Sequence, residues 1–168
     1  MIKIILSLLL IFTFQQTNVI HQQEQASLRA LSGVCVLVEK IRDEMESDGL
    51  THDEIQTDVE LRIRKAGVHI LAQKEMLNTE DQSYLYINIQ SIKNNTTRSY
   101  AYSLEVSLEQ NVQLVRKTTN STGLPFSAST WKRNLVGIIS ASQVRDIRGY
   151  IADYVDQFIN DFLAANQK

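Results

Sequence analysis

The sequence predicts an α+β domain: a four- to five-stranded mixed sheet, β-α-β followed by an antiparallel meander, with two main helices on one face. Three observations carry this. A β-branched run, "GVCVLVEKI" from Gly33, is followed by a capped amphipathic helix and a second short apolar run, "VHIL". From Tyr84 the apolar period changes to two, the signature of half-buried strands. The last part of the chain carries a broad apolar stripe at helical spacing.

Each element follows from its residues. Gly33–Ile41 reads as a strand buried on both faces, and "RDEMESDG" as a charged connection. Thr51 and Glu54 then form a T-x-x-E capping box. Asp53 and Glu54 complement the helix N-terminus, and Arg62, Arg64 and Lys65 its C-terminus. Ile55, Val59, Ile63 and Ala66 recur on one face, and Gly67 ends the helix. Strand, helix, strand favours a crossover that sets Val34–Val38 beside Val68–Leu71. Residues 72–80 predict a helical turn.

In the hairpin that follows, Leu85, Ile87 and Ile89 share a face with Tyr100, Tyr102, Leu104, Val106, Leu108, Val112 and Leu114. For those faces to coincide, odd residues of the first strand must oppose even residues of the second, which places Ile87 near Val106. Tyr84 and Tyr86 then lie on the opposite face. "STGLPFSAS" predicts a flexible loop, and "TWKRNLVGIIS" a further antiparallel strand with Trp131, Leu135 and Ile139 on one side. Ser140 and Gln143 repeat the capping pattern before a final helix striped by Val144, Ile147, Ile151, Tyr154, Val155, Phe158, Phe162 and Leu163. Asp153, Asp156 and Asp161 read as its wet face.

The N-terminus differs from the rest. "MIKIILSLLLIFTF" has one early charge, Lys3, and an apolar run from Ile4 to Phe14, the layout of a secretory signal too short to span a bilayer as a mature helix. The expectation is export to the periplasm or beyond. Residues 1–23 would be a signal peptide or a retained anchor, residues 24–32 a polar leader or short irregular helix, and residues 33–168 one domain. Without residues 1–23 the formal charge moves from −2 to −3. A weakly acidic chain, pI about 5.9, lacks the basic surplus of a nucleic-acid binder.

Candidate chemistry is sparse. His21, His52 and His69 have no metal spacing, and no cofactor fingerprint is present. Cys35 reads as a buried small hydrophobe; a Cys35–His69 dyad would need an orienting group. The acidic run Asp43, Glu44, Glu46 and Asp48 departs from the calcium-loop pattern and reads as a solvated loop or a weak divalent-cation site. Sequons at Asn94, Asn95 and Asn120 lie in turns. Tyr84 and Tyr86 are the candidate partner contact, with the "NSTGLPFSAS" loop, because aromatics with polar ends suit protein interfaces.

"IQTDVELRIRKAG" followed by "VHIL", a meander and a long C-terminal helix resembles the small periplasmic α/β modules of bacterial envelope proteins. Examples are the N-terminal domain of the Tol-system β-propeller protein and domains of curli-type secretion lipoproteins. The resemblance implies adaptor work in the envelope: binding of a protein or envelope component, without a cofactor. A cryptic hydrolase and a carrier of a small apolar ligand are the alternatives.

Overall fold

A computed structural model describes residues 19–114 and 126–167. Four strands form one mixed sheet in sequence order: β1 (Cys35–Val38), β2 (Tyr84–Asn94), β3 (Ser99–Val112) and β4 (Phe126–Ser140). β1 runs parallel to β2, and the other pairs are antiparallel. The helices are α1 (19–27), α2 (Asp43–Ser47), α3 (His52–Lys65), α4 (Gln73–Met76) and α5 (Ile147–Ala165), the last entered through a 3-10 segment, Ala141–Asp146. The α+β class and the mixed sheet are as the sequence predicts.

The hairpin register is the predicted one: Ile87 opposes Val106, and a four-residue connection joins Asn94 to Ser99. The inner face, built from odd residues of β2 and even residues of β3, packs beneath α3 and α5. Ile55, Val59 and Ile63 of α3 meet Ile147, Ile151, Val155 and Phe158 of α5 in one core with Trp131. Thr51 caps α3, its Oγ1 accepting the Glu54 N–H at 3.4 Å. Gly67 leaves the helix at φ +79°, a left-handed value suited to glycine. Gly137 has a different reason: a Cβ there would lie 3.0 Å from the Tyr102 ring, which fills the space above β4.

Four expectations are corrected. "VHIL" is no strand but a single parallel bridge, Val34 to Ile70, on the side of β1 away from β2; farther along that side the Val36 and Val38 carbonyls meet Gln56 and His52 of α3, which leaves no ladder to extend. The "charged connection" is a helix, α2, since Met45 is fully buried and anchors it. Asp161 does not face water: its Oδ2 accepts the Trp131 indole N–H at 2.8 Å, with Arg133 at 3.4 Å. β4 begins at Phe126 rather than Thr130; a bulge at the Leu108/Glu109 step lets the ladder continue past the irregularity. Residues 115–125, with Asn120 and most of the predicted loop, lie outside the described residues.

The leader belongs to the fold. Leu28 is fully buried in the core, and α1 lies along β4. The Ser27 hydroxyl donates to the Thr130 carbonyl at 3.3 Å, and a Glu24 carboxylate oxygen accepts the Lys132 N–H at the same distance. Leu28, with the partly buried Leu31 beside it, anchors the segment.

Candidate functional site: the outer face and free edge of the sheet

Side-chain alternation along β2, β3 and β4 creates a second sheet face, and its two ends differ. At the β1 end, Tyr84 packs against Cys35, Leu71 and Met76. Tyr84 and Tyr86 meet edge to face with ring centroids 6.4 Å apart. The Tyr86 hydroxyl donates to Glu39 Oε2 at 2.7 Å. Burial, with that donated bond, pushes the Tyr86 pKa up to about 12. Both tyrosines sit on the predicted face, opposite Glu109 and Ser107, but they are half-buried and bonded to neighbours.

At the other end nothing among the described residues covers the sheet. Ile92, Ala101 and Ile138 form one row across β2, β3 and β4, and Val136 stands beside Ile138. Ile92 is 73% exposed, Val136 82% and Ile138 81%. These values decide the matter, because solvent-facing strand positions are ordinarily polar when one face is wet. The sequence held the signal: these apolar residues fall at even positions of β2 and β4, while the inner face takes the odd ones.

β4 is also an edge strand. Its outward backbone groups can be assigned, because an antiparallel strand turns the N–H and C=O of alternate residues to opposite sides. Thr130, Lys132 and Asn134 point outward: they meet Ser27, Glu24 and the Tyr154 hydroxyl, the last at 3.1 Å. The same parity turns Val136 and Ile138 outward. In the opposite direction, the Ala141 N–H donates to the Arg98 carbonyl at 2.9 Å, toward β3. Asn134–Ser140, "NLVGIIS", carries no charged side chain.

Other candidates resolve into structure. The Cys35 thiol is buried, which raises its pKa, and bonds at 3.8 Å to the Val36 carbonyl while His69 is exposed. His52 Nε2 lies 3.2 Å from the Val38 carbonyl oxygen. From the acidic run, Asp48 accepts both Lys93 and the Tyr100 hydroxyl at 2.6 Å, which holds its carboxyl below the usual range. Among the described residues, no group of three or more His, Cys, Asp or Glu could hold a metal ion. No helix among them is long and apolar enough to cross a membrane.

A groove of about 650 Å³ runs between α3 and α5. Its floor includes Val59, Ala66, Ala152 and Val155, and Arg62–Asp156 at 2.8 Å and Arg148–Asp58 at 2.7 Å bridge its rim. No family model matches the chain, and no curated protein matches it significantly.

Proposed function

We propose that this chain is an exported, non-catalytic binding domain of the bacterial envelope, an adaptor that docks a partner protein on its outer sheet face. One observation carries the reading: Ile92, Val136 and Ile138 are exposed on the outer face of the sheet, where a sheet with one wet face would normally place polar residues. Contiguous exposed apolar surface rimmed by polar groups marks interaction sites. The rim here includes Gln90, Asn134 and the Lys132–Glu105 pair, 2.6 Å apart. The partner would present an apolar surface to this end, while the Tyr84–Tyr86 end contributes at most a margin. The apolar N-terminal run and the resemblance to envelope modules support the location.

The test is crosslinked capture from the envelope fraction with three baits: wild type, Ile92→Ser/Ile138→Ser and Tyr84→Ser/Tyr86→Ser. A partner lost from the isoleucine variant and kept by the tyrosine variant supports the reading. Loss from the tyrosine variant alone moves the contact to the other end. Capture of nothing by wild type sinks the adaptor reading.

One observation favours a second reading, a carrier of a small apolar ligand. The α3/α5 groove has the volume of a ligand pocket and an apolar floor. Saturable binding of a fluorescent fatty-acid analogue, weakened by Ala152→Trp, would support it.

A further inference from the structure

We infer that β4 joins a second copy of this chain, edge to edge and antiparallel, about a two-fold axis at Gly137. The inference goes beyond the docking face because it uses the backbone edge rather than the side chains of the sheet face. It begins with where protection of the edge stops. From Thr130 to Asn134 the outward groups are met by α1 and by Tyr154 of α5. Beyond Asn134 the outward N–H and C=O of Val136 and Ile138 have no such cover among the described residues, and the uncharged "NLVGIIS" lacks the charges that blunt natural edges.

The occupant follows from register. Only even residues offer outward groups, so a second strand must pair even with even. Centring the axis on Gly137 sets Val136 opposite Ile138 of the other copy, and Asn134 opposite Ser140. Apolar then meets apolar, and polar meets polar, on both sides of the axis. Centring it on Val136 sets Ile138 against Asn134; centring it on Ile138 sets Val136 against Ser140. Each of these alternatives breaks the match. In the Gly137 register each Val136–Ile138 pair exchanges two backbone bonds, and the same symmetry closes the contact at two copies.

Such a two-fold axis is perpendicular to the sheet, so the outer faces of both copies lie on the same side. The two Val136/Ile138 groups become one apolar strip flanked by the two Ile92 residues. Seven residues of strand cover less than the roughly 800 Å² per partner of a standard interface. The dimer is therefore weak and concentration-dependent.

The experiment is sedimentation equilibrium of the full chain, as expressed and processed, over a wide concentration range, with amide hydrogen exchange on the same samples. Wild type should pass from monomer to dimer, and the Val136 and Ile138 amides should gain protection as it does. Val136→Pro removes only an outward N–H, which an edge strand tolerates, and should weaken the dimer about 30-fold by deleting one bond in each copy. Ile138→Lys, a surface change that keeps the backbone, should weaken it as well and stands in if the proline variant misfolds. Circular dichroism verifies each fold. A mass that stays monomeric at every concentration, a mass that grows past dimer, or a dimer indifferent to both substitutions would overturn the inference.

Discussion

The two edges of this sheet are finished differently. At β1 the edge is closed along its length: Val34 bridges Ile70, the Gln56 side-chain amide donates to the Val36 carbonyl at 3.2 Å, and His52 stands at the Val38 carbonyl. Each of these outward carbonyls has a named partner: the Leu71 N–H at Val34, and α3 side chains at Val36 and Val38. At β4 closure stops halfway, at Asn134. Buried or covered backbone groups need partners, and uncovered ones are templates for another strand. The difference teaches that a binding surface is found by asking which groups the fold has left unused. Residue type alone points elsewhere, to Tyr84 and Tyr86.

Removing the cover of β4 should have the largest effect. Leu28→Ala empties a fully buried site and should cost about 3 kcal/mol in urea unfolding. Because Leu28 anchors α1, the variant should also lose the cover of Thr130 and Lys132, read as faster hydrogen exchange at the Lys132 amide. Unchanged exchange there would mean that α1 stays docked without Leu28.

A smaller effect belongs to the tyrosine end. Tyr86→Phe deletes the bond to Glu39 and should cost about 1 kcal/mol at neutral pH. The pH dependence sharpens it. The folded protein holds the Tyr86 phenol protonated up to about pH 12, whereas the unfolded chain releases that proton near the ordinary value of 10. The unfolded state thus binds fewer protons between those values, and stability falls as pH rises through that window. Below about 10 the contribution is fully present. Urea melts at stepped alkaline pH should show a shallower decline for Tyr86→Phe than for wild type.

Least affected should be the bare end. Val136→Thr and Ile138→Thr should each change stability by no more than about 0.5 kcal/mol, since neither side chain is packed. Thermal melts at low concentration check this. A loss of several kcal/mol would show that these residues are covered in the isolated chain.

Much of the fold was legible in the sequence. The Thr51 N-cap, the α3 stripe and the β2/β3 register are written in short-range pattern, and all stand in the structure; of the capping box only the Thr51 half forms, the Glu54 carboxylate accepting the Thr51 hydroxyl. What escaped depended on distant partners. Asp161 sits at a helical position that reads as wet, and only the fold brings Trp131 to it. "VHIL" has strand composition, but side chains of α3, Gln56 and His52, take the β1 edge beyond its one bridge. For the site, parity already marked Ile92, Val136 and Ile138 as apolar on the wrong face. That β4 is an edge, and that its cover ends at Asn134, no local pattern could state.

The stitching of α1 has a consequence in time. The Ala30 N–H donates to Asn166 Oδ1 at 2.9 Å, and Asn166 Nδ2 donates to the Leu28 carbonyl at 2.9 Å. These contacts span nearly the whole chain, so the first helix cannot dock until the last has been made. Contacts of such separation form late and slow the folding they complete. While the N-terminal segment is held elsewhere, the Leu28 pocket is empty and the β4 edge is open at Thr130 and Lys132 as well. The beginning of this domain waits for its end, and whatever holds the beginning governs when the domain is finished.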